Sequence, residues 1–144
     1  MRLALIIVPV LAVSHLASAG CVAPVKPVRV IAGFQPPATP YGPGHLGVDL
    51  AALPGQAVFS PVSGRVTFQG QVAGRPVVSI RSGDRWVSLE PVDTSLTVGL
   101  PVSAGEEIGV VGIGGHCSLR CVHLGLRVAG RYVSPLQWHA RLVA

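Results

Sequence analysis

Glycine and proline punctuate this chain too densely for long helices. Its 144 residues include 18 Gly and 13 Pro, and the stretches between them are short and rich in Val, Ile, Thr and Phe. Such runs read as strands bounded by turns. Candidate strands are Val28–Ala32, His45–Leu50, Arg65–Phe68, Val77–Arg81, Trp86–Leu89, Ile108–Val111, His123–Val128 and Arg131–Val133. Arg65-Val66-Thr67-Phe68 and Val77-Val78-Ser79-Ile80 alternate in part, as half-buried strands do. Arg81-Ser82-Gly83-Asp84-Arg85 reads as a hairpin loop. No segment of ten residues carries a 3.6-residue apolar period, and Pro135–Arg141 supplies one or two helical turns at most. The fold class is therefore all-β, a compact antiparallel sheet or sandwich.

The first nineteen residues are set apart. Arg2 supplies a positive charge, Leu3 to Val13 is an apolar run too short for a bilayer, and Ala17-Ser18-Ala19 has the small residues of a cleavage site. This is the pattern of a secretory signal peptide, which implies a secreted or cell-envelope protein with no transmembrane segment. Residues 20–44 carry six prolines and read as an extended arm with one early strand. Residues 45–144 form the main domain. The net charge of +5 is scattered rather than clustered. Basic residues interleaved with aromatics are absent, which argues against nucleic acid.

Cysteine usage agrees with export. Cys117 and Cys121 are separated by three residues, and a tight turn brings such a pair within disulfide range. A loop this short stabilises by about 2 kcal/mol in the chain-entropy model. Metal ligation is the competing reading, but a lone pair at this spacing is a poor zinc signal. Cys21 is left over. It is either a lipid-modified N-terminal cysteine, giving a lipid anchor, or a free thiol after cleavage at Ala19.

The chemistry begins at Gly44-His45-Leu46-Gly47-Val48-Asp49-Leu50. An imidazole and a carboxylate four residues apart are two ligand types of zinc hydrolases. A second histidine element is His123-Leu124-Gly125-Leu126-Arg127. Glu106 and Glu107 are adjacent, so they do not form a facing carboxylate pair for glycoside hydrolysis. Neither Ser63 nor Ser88 has a nearby His/Asp constellation. Trp86 and Trp138 read as packing residues, and His139 as a surface residue.

A loose internal echo links Pro61-Val62-Ser63-Gly64-Arg65-Val66 with Val98–Gly109, glycines marking turns. Biotinyl and lipoyl carriers share this rhythm, but Lys26, the only lysine, lies in the arm. Together, Tyr41–Ala52, Ala57–Val66, Val98–Gly112, His123-Leu124 and Tyr132–Leu136 resemble the lysostaphin/LytM family of zinc peptidoglycan endopeptidases. Order and spacing match from about Val28 to Leu136. Gly115-His116-Cys117 and Cys121-Val122-His123 resemble short actinobacterial members.

The resemblance implies the LytM fold, a duplicated hybrid motif with one zinc in a groove. It places two zinc ligands on His45 and Asp49. It places the catalytic first histidine of a His-x-His pair on His123, and the third ligand where Gly125 stands. A further family histidine falls on Ser88. On this alignment two of five site residues are missing, and His116 is the histidine available to substitute as ligand. The implied partners are peptidoglycan peptides or a cell-wall hydrolase. The expectation is a LytM-type protein that acts on or binds peptidoglycan with weak or lost catalysis. The alternative is an active zinc endopeptidase in which His116 replaces the missing ligand.

Overall fold

The computed structural model describes residues 21–138. The segment read as a signal peptide, His139 and residues 140–144 lie outside the described residues. The strands are β1 (Val30–Ala32), β2 (Gly47–Ala51), β3 (Ala57–Phe59), β4 (Gly64–Val72), β5 (Arg75–Ser82), β6 (Arg85–Glu90), β7 (Val92–Asp93), β8 (Pro101–Val102), β9 (Glu107–Val111), β10 (Cys121–Val128) and β11 (Arg131–Tyr132). One short helix, α1 (Pro135–Trp138), follows. The larger sheet runs β1-β2-β10-β6-β5-β4-β8, with β11 added to β10, and the smaller runs β3-β9-β7. The pairings within both sheets are all antiparallel.

Alternation explains why the larger sheet has two different faces. Successive side chains on a strand point to opposite sides. Val48 and Leu50 of β2, Val122, Leu124 and Leu126 of β10, Val87 and Leu89 of β6, and Val78 and Ile80 of β5 are all buried in one apolar cluster. Val58, Val92, Ile108 and Val111 of the smaller sheet join the same cluster, so the two sheets share one core. The residues between them face the other way. Asp49, His123 and Glu90 stand in one cross-strand row, and Gly47, Gly125, Ser88 and Ser79 in the next.

All eight sequence-derived strands are present, with ends shifted by a few residues. β3, β7 and β8 were not legible, because two or three residues are too few to show alternation. The echoed segments prove to be partners. β3 pairs β9 and β4 pairs β8, and Ser60 exchanges backbone hydrogen bonds with Gly105 and Glu106 between them. The arm also reaches the core, where Val25 is fully buried, and Phe59 N donates to Pro24 O at 2.8 Å.

Candidate metal centre

Three elements bring four side chains together. Asp49 and His123 are direct cross-strand partners on β2 and β10, which sets their side chains side by side on one face. His45 precedes β2 and shares that face through Gly47. Its backbone is fixed by the arm: His45 N donates to Gln35 O at 2.8 Å, and Gln35 N donates to His45 O at 2.9 Å. His116 comes from the loop between β9 and β10. A disulfide joins Cys117 to Cys121 at the foot of that loop, as the sequence reading expected, so these sulfurs are not thiolate ligands.

The donors converge on a single atom. Asp49 Oδ1 lies 3.0 Å from His45 Nε2, 2.9 Å from His116 Nε2 and 2.7 Å from His123 Nδ1. His116 Nε2 is also 3.0 Å from Asp49 Oδ2. The four ligand atoms all fall within 4.8 Å of one another. Asp49 is 5% exposed. Burial pushes its carboxyl up, but hydrogen bonds from His123 and His116 and the charges of His116 and His45 outweigh this and bring it to about 2. Asp49 is thus a carboxylate throughout the physiological range.

The tautomer of His45 bears on what the cluster can hold. His45 Nδ1 lies 2.6 Å from Gly33 O. A carbonyl only accepts, so Nδ1 carries the hydrogen. In the neutral ring Nε2 then has only a lone pair, yet it faces the carboxylate oxygen at 3.0 Å. Two acceptors at that distance require a positive charge, either a proton on Nε2 or a cation shared with Asp49. An outer N–H tied to a carbonyl is also the arrangement that orients histidine metal ligands. Nitrogen and oxygen donors of this kind suit zinc, so the residues present fit the metal.

The strand register adds what the sequence reading left open. His123 is part of the donor ring itself, with its side chain 12% exposed. Gly125 is opposite Gly47 rather than Asp49, one step along the groove. A Cβ on Gly125 would meet Ser88 Oγ at 2.6 Å. A glycine at 125 therefore opens no gap among the donors. The position two residues before His123 on the same face is Cys121, which is held in the disulfide. A lone histidine gives no sign of which member of His-x-His it represents, and the register shows only that His123, not residue 125, stands opposite Asp49.

Three features escaped the sequence reading. The carbonyl of Gly33 and the backbone of Gln35 hold His45, and nothing in a proline-rich arm signals such a clamp. Gly47 makes room for His123: a Cβ there would lie 2.5 Å from His123 Nε2 and 2.3 Å from Leu124 O. Trp86 is not a packing residue but a groove residue, 39% exposed. Cys21 is buried, with its thiol pushed up to about 12 mainly by that burial.

Comparison with known proteins agrees with this geometry. Residues 43–135 match the model of peptidase family M23. An uncharacterised protein of Mycobacterium tuberculosis is 41% identical over 117 residues, covering 76% of this chain and 47% of its own length. The murein hydrolase activator NlpD of Escherichia coli is 30% identical over 100 residues, covering 66% of this chain and 26% of its own. The chain thus spans about half or less of the curated relatives it matches. A zinc-containing peptidase from Vibrio cholerae superposes with a TM-score of 0.68 at 25% identity, covering 80% of this chain and 38% of that one. No helix among the described residues is long and apolar enough to cross a membrane. With its all-β fold, its matched core and its His/Asp cluster, the chain belongs to peptidase family M23.

Proposed function

We infer that the protein is an extracytoplasmic zinc endopeptidase that acts on peptides of peptidoglycan. His45, Asp49 and His123 are its metal ligands, and His116 is its proton-handling residue. The observation that carries this reading is the convergence of three donors, Asp49 and His123 from two paired strands and His45 from just before β2, where Gly33 locks it. Three protein ligands and an open position are what a catalytic zinc needs. Zinc in that position would acidify a water and polarise the amide carbonyl. The peptidoglycan assignment is supported by the names of the relatives, and export by the pattern of residues 1–19 and the disulfide.

The chain's own residues divide the remaining work. Asp49 and the Gly33 carbonyl orient the donor rings. Gly47 makes room for the His123 ring, and Gly125 for the Ser88 hydroxyl. His116 is the most exposed of the cluster, its side chain 49% accessible, and it stands on a glycine-bearing loop. Its Nε2 faces the shared carboxylate, where it can take a proton from an attacking water and return it to the leaving amine.

A second reading rests on the same residue. His116 Nε2 sits as close to Asp49 as the other imidazoles do. As a fourth ligand it would close the site, giving a structural metal and a non-catalytic wall-binding module. The deciding experiment measures zinc content, coordination number by X-ray absorption, and cleavage of cell-wall peptides in the wild type and in His116→Ala. The proposal expects one zinc in both proteins and a loss of cleavage of roughly 10²–10⁴-fold in the variant. Four protein donors in an inactive wild type, with much weaker zinc in His116→Ala, would replace it with the second reading.

A further inference from the structure

The groove does not end at the metal cluster. Beyond Gly47 and Gly125 the same face carries Ser88 and Ser79, and then the row Arg127–Trp86–Arg81. Arg127 is four residues along β10 from His123, about 13 Å at the rise of a strand. A cleft of about 100 Å³ opens there, lined by Ser79, Ser88, Trp86, Arg127 and Tyr132. A carboxylate group fits a cleft of this size.

The lining is built for negative charge. The Arg127 guanidinium lies 5.3 Å from the Tyr132 ring centroid, and the Arg81 guanidinium 5.2 Å from that of Trp86. These aromatic contacts hold the two side chains while leaving N–H groups for other partners. Arg81 Nε donates to Gly83 O at 2.9 Å, and an Arg127 N–H reaches Gly130 O at 3.5 Å. Among the described residues neither arginine is paired with a carboxylate, and neither the Ser79 nor the Ser88 hydroxyl is hydrogen-bonded. Two hydroxyl donors and a guanidinium fork therefore border one small cleft.

We propose that this cleft is a specificity site for a carboxylate on the substrate peptide, about four residues from the bond at the metal cluster. The proposal rests on the peptide-binding reading above, because the ligand is an extended peptide lying in the same groove. A strand that spans 13 Å at 3.3 Å per residue places its fourth side chain at Arg127. There the carboxylate accepts hydrogen bonds from Arg127 and from the serine hydroxyls, and the aliphatic part of its side chain rests against Trp86.

The test uses capped glycine octapeptides in which a single Glu is moved along the chain. Binding to the zinc-loaded protein is read from the amide and indole NMR signals of Ser88, Arg127 and Trp86. One register should bind about tenfold more tightly than the all-glycine peptide, as one charge-assisted contact implies. Arg127→Gln, shown to be folded by its spectrum, should erase that preference, so that every Glu register binds like the all-glycine peptide. Ser88→Ala should reduce it in part. Equal affinity for every register, or a preference that survives Arg127→Gln, overturns the proposal. A phosphoserine peptide or inorganic phosphate that outcompetes the Glu peptide overturns the carboxylate assignment. A wild type that keeps the Glu preference but cleaves no cell-wall peptide refutes the endopeptidase reading and leaves this site standing.

Discussion

Gly47→Ala is the sharpest probe of how the fold builds the site. The added Cβ would lie 2.3 Å from Leu124 O, 2.5 Å from His123 Nε2 and 2.6 Å from His123 Cε1. The carbonyl belongs to β10, which is bonded on both sides and cannot withdraw. The imidazole can move, but only away from Asp49. Overpacking of this kind typically costs about 1–3 kcal/mol. For a domain of this size that is a fall in Tm of roughly 4–12 °C. Displacing His123 should also weaken zinc by more than the roughly 10–100-fold that follows loss of a ligand's supporting partner. Gly33→Ala is the control, since a Cβ there meets nothing within 4 Å. Calorimetry and competition against a chromophoric chelator read the two effects. A Gly47→Ala protein with wild-type Tm and wild-type zinc affinity would refute the claim that this glycine seats His123.

Two further outcomes follow from the buried titratable groups. In zinc-free protein, Asp49 has a folded pKa of about 2 against an ordinary value of 3.8. A depressed carboxylate stabilises the fold above the unfolded value and loses that contribution as pH falls through the folded one. The Tm gap between wild type and Asp49→Asn should therefore be widest above about pH 4 and close towards pH 2; a gap that widens on acidification contradicts the hydrogen-bond assignment. Cys21, buried and pushed up to about 12, should resist iodoacetamide at pH 8 in the native state and react in denaturant. Rapid native alkylation, or a lipid on this sulfur in the exported protein, would show that the segment leaves the core.

The strands were legible because alternation is a local signal. β10 reads Val122, Leu124 and Leu126 inward and His123, Gly125 and Arg127 outward, and those parities are written in eight consecutive residues. His45 and Asp49 were legible for the same reason. What sequence could not supply was register between strands distant in the chain. Whether His123 or residue 125 faces Asp49 depends on pairing across 74 residues, and a slip of two residues preserves every inward and outward parity. Alternation thus sets His123 and Gly125 on one face, and only the pairing shows that His123 is the one opposite Asp49. The clamp on His45 was hidden for a related reason. Its parts are a backbone carbonyl and a backbone pair, and neither depends on side-chain identity.

The same geometry explains why the question of catalysis centres on one loop. His45, Asp49 and His123 are fixed by sheet pairing and by the arm, so their spacing is a property of the core. His116 is fixed by different means. The loop leaves β9 through Gly112, passes Gly114 and Gly115 with φ of 123° and 67°, and re-enters the sheet at the disulfide. Gly114 and Gly115 lie against Arg75, which forms an ion pair with Glu90 at 2.9 Å, and Glu90 is the cross-strand neighbour of His123. The His116 imidazole is thus held from two ends, by a covalent link to β10 and by packing on β5. Cys121 stands on the site face two residues before His123, where strand alternation would allow a second imidazole on β10. In this chain that position anchors the loop that delivers His116 instead. The behaviour of His116→Ala will show whether this loop-borne imidazole serves proton transfer or closes the metal site.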